Sequence, residues 1–440
     1  MTSPYLAPFE AFSANGASRA PSWATSLRRE ALDRFGALGF PTTRNEDWHF
    51  TSVAPIAEAD FLVLTHPGGD VDRADLAAFG FGATGWHTAV FVNGRFNASL
   101  SSLGALPAGV RVLSLAQAWE EAPELLEGRL GAVASFESHA FTALNTAYMY
   151  DGAVIHVAKD VQVAQPIHLL FVSDAMAAGG VMYPRNLIVT ERNANATVIE
   201  SYVSTGDARY FTNVVTEVAL ADGATLRHIK RQEESHRAFH VGTIDVHQGR
   251  DSHLVSFSYG SGAALSRTNV YTTLAGEGCG ATLNGLYMLD GDQHMDHQTR
   301  IEHAQPNCYS RETYKGILDG TSHGVFNGKV YVHPVAQKTD GKQTNNTLLL
   351  SPEAQIDTKP QLEIFADDVK CTHGATVGRL DETALFYMKS RGVGKDLARQ
   401  LLTYAFAADV LETIEVDAVR EGLEALTLQR YTTERRATPR

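Results

Sequence analysis

Cysteine is scarce: Cys279, Cys308 and Cys371 are the only three in 440 residues. Three cysteines do not make a disulfide framework, and their scarcity suits a reducing compartment. No apolar run approaches the roughly 18 residues a membrane helix needs. The opening MTSPYLAPFEAFSANG lacks the basic and apolar regions of a secretory signal, so the chain reads as cytoplasmic. Positive charge is also short: 37 Lys and Arg stand against 50 Asp and Glu, a net charge of -13. Nucleic-acid binding draws chiefly on basic residues neutralising phosphates, so it is not expected here.

Catalytic signatures are missing too. Gly328-Lys329-Val330 and Gly394-Lys395-Asp396 lack the leader and the hydroxyl of a phosphate loop. GEGCG at 276–280 has the wrong spacing for a dinucleotide fingerprint, and there is no G-x-S-x-G elbow. The chain alone is not expected to hydrolyse ATP, and it reads as a non-enzymatic protein. With 44% hydrophobic and 20% charged residues, the composition is that of a globular protein with length for two or three domains.

Three textures divide the chain. Residues 1–150 read as mixed and largely helical. Trp23, Leu27, Ala31, Phe35 and Leu38 recur at helical spacing behind Ser22 as N-cap. Asn93-Gly94 in VFVNGRF signals a hairpin, and two or three short helices are expected between Ser114 and Met149. Residues 151–380 are strand-and-turn sequence, from Gly152 to about Gly378. Residues 381–440 turn helical again. Asp381 caps a helix through Met388, and Arg391-Gly392 stops it. Leu397, Leu401, Tyr404, Ala408 and Leu411 then form an apolar stripe, and Val416, Val419, Leu423 and Leu426 another. The polar, basic segment from Gln429 to Arg440 is expected to fray.

The middle region repeats. Val198, Leu226, Leu254 and Leu283 close similar strings at steps of 28, 28 and 29, while Asn186, Asn213, Val241 and Asn269 step by 27, 28 and 28. A strand-rich period of that length means a solenoid. It is short for a propeller blade and fits one coil of a parallel β-helix with two or three strands. About eight coils at the inter-strand spacing make a rod of about 40 Å. Its end strands need cover, which the helical flanks could supply. The C-terminal stripe has two readings, packing on the solenoid end or docking another subunit.

Histidines are concentrated here. His294 and His297, with His303 and Cys308 nearby, are three apart, which on a strand puts them on opposite faces, so polar turn and surface roles are favoured over a shared metal. Cys279 and Cys308, one coil apart, read as small core residues stacked on adjacent coils. Cys371 and His373 share a strand face with Cα atoms about 6.8 Å apart. Thiolate and imidazole suit iron or an Fe–S cluster, and a metal or Lys370 would lower the thiol's pKa. The alternative is a buried cysteine beside a hydrogen-bonded histidine. Three cysteines cannot supply a four-cysteine cluster, so any cluster borrows ligands from histidine, a small molecule or a second chain.

These residues sit in strings that resemble the SufB/SufD family of Fe–S cluster assembly proteins. The similarity is densest from about His297 to Ala407, in GVFNGKVYV, AQKTDGKQTNNTLLLSPEAQIDTKPQLEIFADDVKCTHGATVG and LFYMKSRGVGKDLARQLLTYAFA, with PTTRNEDWHFT at 41–51. The chain length and the early string look more like the SufD branch than SufB. The resemblance implies a right-handed parallel β-helix between helical regions. It also implies a cytoplasmic complex with SufB, paired through the β-helix, and with the ATPase SufC on the C-terminal helices. His373 matches the histidine at the SufB interface where a nascent cluster is thought to form, and Cys371 the neighbouring cysteine. Arg391 and Gly392 match the family's S-R-G turn, and the helix bearing Leu397, Leu401, Tyr404 and Leu411 would face SufC. The cluster or its iron would be transient and shared, with nothing permanently bound by this chain alone. A SufB-like or homodimeric form holding the cluster itself is the alternative. A β-helix enzyme acting on polysaccharide is disfavoured, because no Asp/Glu pair repeats at coil spacing.

Overall fold

The computed structural model describes residues 5–15, 20–64 and 68–432. Eight coils of parallel β-helix form its axis, each contributing one strand to each of two sheets. One sheet runs from Ala153–Val157 to Gln355–Ile364, and the other from Ile167–Ser173 to Val369–Gly378. Each coil therefore has two strands. Sequence texture placed the onset at Gly152, yet earlier segments extend both sheets. His87–Val92 pairs parallel with Ile167–Ser173, and Val110–Ser114 pairs antiparallel with Ala153–Val157.

The repeat has the expected mean period but an uneven register. Following the interior column Ala196, Leu226, Leu254, Ala281, Ser310, Gly341 and Cys371, successive coils are 30, 28, 27, 29, 31 and 30 residues long. Val198 therefore pairs with His228 rather than Leu226, and Leu283 with Ser256 rather than Leu254. Each slip is two residues, which keeps a side chain on the same face. Val198, Leu226, Leu254 and Leu283 accordingly all lie in one buried core.

One turn in seven of the eight coils is set by backbone chirality. Asp160, Asn193, Gly223, Asp251, Gly278, Asn307 and Lys338 all have φ between 53° and 76°, a region tolerated best by Gly, Asn and Asp. From Asn193 onward each N–H donates to a carbonyl of the next coil, from Asn193 to Asp222 through Lys338 to Asp368.

The flanking helices lie on the sides of the rod. In the N-terminal region the Ser22–Leu38 helix follows Pro21 at the cap, so Ser22 is its first helical residue and makes no cap bond. Phe9, Phe12, Phe35, Phe141 and Tyr148 pack on Phe211, Phe239, Val241 and Leu265 of the first sheet. Asn93 and Gly94 turn the expected hairpin, both at positive φ. Between Ser114 and Met149 stand the helices Leu115–Glu121 and Ala140–Tyr148 and a 3-10 turn at Pro123–Leu125.

Helices Glu382–Ser390, Lys395–Leu411 and Asp417–Thr432 end the described chain. Asp381 caps the first of them, accepting from the Thr383 N–H. Ala407, Val410, Leu411, Ile414, Val419 and Leu423 pack on Ile199, Ile229, Phe257, Leu286 and Ile317 of the second sheet. Of the two readings of the stripe, packing on the solenoid end does not hold: its buried residues cover a side face instead, and the last strand's outer edge has no strand partner among the described residues. Of the segment expected to fray, residues 429–432 continue the last helix and 433–440 lie outside the described residues.

Candidate functional site

The open end is built by the last strand, Val369–Gly378. It pairs with Thr339–Leu349 in the register Gly341↔Cys371 and Gln343↔His373. Its other edge has no strand partner among the described residues, and such a row of free N–H and C=O groups is a template for another chain. Gly341 belongs to an interior column: a Cβ there would meet Cys371 Sγ at 3.3 Å and Ser310 Oγ at 3.5 Å. Cys371 and His373, two residues apart, therefore share the inward face. Cys371 is half-buried beside Val330, Val332, Ala336 and Ala366, while His373 is exposed.

Two features of this end were not foreseen. Gln343, in register beneath His373, donates through Nε2 to Glu312 Oε2 at 2.7 Å. Glu312 is buried, and burial pushes its carboxyl up to about 7. Gln343 Oε1 has no hydrogen-bond partner. Only the 31- and 30-residue coil lengths align these three, and the mean period conceals that. The second concerns the thiol: burial, then the Asp340 charge, pushes Cys371 up. Lys370 was expected to lower it, but alternation along the strand puts the lysine on the opposite face.

The other candidates separate. Thr51 lies 2.9 Å from the outward-facing His294, and His294 stands against the His323 ring. His297 is enclosed between Tyr287 and Tyr314, and burial pulls it down to about 3. His303, pulled down to about 4 by burial, lies 3.0 Å from Ser310 Oγ. Among the described residues no three His, Cys, Asp or Glu side chains gather as a metal site. Cys279 and Cys308 are buried in the core on adjacent coils.

On the C-terminal helices the stripe divides. Leu411 is 0% exposed, because it faces the second sheet, so it holds the helix to the rod and takes no part in an outer face. Leu397 is 50% and Leu401 41% exposed, and Tyr404 is half-buried. Phe386 and Tyr387, which periodicity did not single out, are 72% and 55% exposed on the preceding helix. Gly392, at φ 87°, makes the turn between the two helices, and Arg391 lies over the Tyr387 ring.

The early string PTTRNEDWHFT docks on the first sheet. Arg267 lies 3.6 Å from the Trp48 ring centre, donates to the Asp47 carbonyl and pairs with buried Asp296 at 2.7 Å. Thr51 donates to the same Asp296 carboxylate, and Lys359 reaches Glu46.

Comparison with known proteins agrees with this architecture. Residues 171–406 match the SufBD core domain of SUF system FeS cluster assembly, and residues 2–169 match the SufBD protein N-terminal region. An iron-sulfur cluster assembly SufBD family protein of Synechocystis is 35% identical over 406 residues, covering 90% of this chain and 88% of the relative. The iron-sulfur cluster assembly protein SufD of Escherichia coli is 32% identical over 422 residues, 95% of each chain. That of Bacillus subtilis is 27% identical, over 92% of this chain and 93% of the relative. With its β-helix, its open last coil and these matches along nearly its whole length, the chain belongs to the SufB/SufD family of iron–sulfur cluster assembly proteins.

Proposed function

We propose that this chain is the SufD-type scaffold subunit of a cytoplasmic Fe–S assembly complex, non-catalytic itself. The observation that carries the reading is the last strand, whose outer edge has no strand partner among the described residues, with Cys371 and His373 on its inward face. Pairing that edge with a SufB strand would close the open coil and bring a second chain's donors to His373. Two donors from one side leave the remaining ligands to the partner, so iron and sulfide are cargo of a shared interface. His373, exposed, is the primary ligand; Cys371, with its thiol held up by burial, is secondary.

The Leu397–Leu401 face, with Phe386 and Tyr387 beside it, is the docking surface for the SufC ATPase. Nucleotide-driven SufC dimerisation would pull on helix Lys395–Leu411 and open the interface at the last coil.

The test is assembly of purified chain, SufB and SufC, followed by light scattering. Val377→Asp, in the last strand, is expected to abolish SufB pairing and keep SufC. Leu401→Glu is expected to do the reverse. Unchanged SufB binding by Val377→Asp would overturn the edge-pairing reading, and unchanged SufC binding by Leu401→Glu the docking face.

A further inference from the structure

Cys279 and Cys308 are not used by the site above, yet they are placed as a pair. Each immediately precedes a strand, and Gly280 and Tyr309 begin those strands in register. The Tyr309 N–H donates to the Cys279 carbonyl, so the two cysteines stand on adjacent coils. Neighbouring parallel strands lie about 4.8 Å apart, inside the Cα separation a disulfide spans. Both sulfurs approach one acceptor, the Gly276 carbonyl, at 3.1 and 3.3 Å, and both cysteines are free. The same corner is filled by Ala224 and Ser252 on the preceding coils and Thr339 on the next. A side-by-side thiol pair therefore occurs once in a stack of small residues.

We propose that Cys279 and Cys308 form a peroxide-reactive dithiol that closes to a disulfide between two consecutive coils. Cys279 is the attacking sulfur. The Cys308 thiol beside it pulls the Cys279 thiol down and is itself pushed up, and the thiolate is the nucleophile. It attacks one oxygen of hydrogen peroxide. The O–O bond breaks, hydroxide leaves and takes up a proton, and Cys279 becomes a sulfenic acid. The Cys308 sulfur then attacks the Cys279 sulfur; the S–O bond breaks, and the hydroxyl leaves as water with the Cys308 proton. Two thiols lose two electrons and one peroxide becomes two waters. Both side chains are covered, which selects a small oxidant over a bulky one such as oxidised glutathione.

The test uses the reduced full-length chain, exposed to equimolar hydrogen peroxide, alkylated under denaturing conditions and mapped by peptide mass. The expected product is one disulfide-linked peptide pair joining Cys279 and Cys308. Cys371, on the last strand and away from the pair, remains alkylated and serves as the internal control. Cys308→Ser is expected to stop at a sulfenic acid on Cys279, trapped by dimedone. Cys279 and Cys308 both alkylated after the wild-type chain meets peroxide, or a disulfide that includes Cys371, would overturn the proposal. The wild-type map decides it even if a variant folds poorly.

Discussion

Gln343 stands in register one coil beneath His373 and gives its amide N–H to the buried carboxyl of Glu312. The exposed end of the β-helix thus rests on a polar column whose acid burial pushes up to about 7.

That column has a pH signature. Burial raises Glu312 from 4.5 to about 7, so between those values the folded chain holds a proton that the unfolded chain has lost. The stabilisation is fully present below pH 4.5 and is lost as pH rises through about 7. Glu312→Gln should match wild type in acid and exceed it above pH 7, by up to about 3 kcal/mol. Urea midpoints of both proteins across that range measure it; parallel curves would refute it.

Leu401 and Leu411 should behave oppositely, though they lie on one helix. Leu411→Ala empties a buried site and should cost about 2–5 kcal/mol. Leu401→Glu, at an exposed position, should change stability by less than about 0.5 kcal/mol. Chemical denaturation of the isolated chain distinguishes them, and equal losses would place Leu401 in the core.

Arg267 ties the early string to the rod. Arg267→Ala leaves Asp296 charged and buried without its guanidinium, which should cost about 3–5 kcal/mol. Trp48 fluorescence should shift red as its cation partner goes. A loss within about 0.5 kcal/mol would mean that Thr51 and Gln298, which also donate to it, satisfy the carboxylate.

Lys338 departs from the Gly, Asn and Asp pattern at the left-handed turn, at φ 60°. Lys338→Asn should therefore stabilise, by a few tenths to about 1 kcal/mol. A lower thermal midpoint would show that the lysine side chain contributes more there than its backbone costs.

The solenoid was legible because its interior columns repeat and two-residue slips conserve the face. Val198 and Leu226 reach the same core even though they do not pair. What periodicity could not see was register and direction. Leu411 shares a helical stripe with Leu401 but turns toward the second sheet, because the helix lies along the side of the rod rather than over its end. Glu312 sits among strand residues with nothing local to mark it as buried; its neighbours come from strands about 30 residues away. The spacing of Cys371 and His373 put them on one face, as the structure has them, whereas the fall in the Cys371 pKa expected from Lys370 failed because adjacent strand residues point apart.

The proposed function rests on His373 contributing to a cluster held between chains. Anaerobic reconstitution of the chain, alone and with SufB and SufC, tests it by cluster absorbance and iron content for wild type and His373→Ala. The expected result is a cluster only in the full complex, lost or severely reduced with His373→Ala while the complex still assembles. A full cluster on the isolated chain, indifferent to His373, would contradict it.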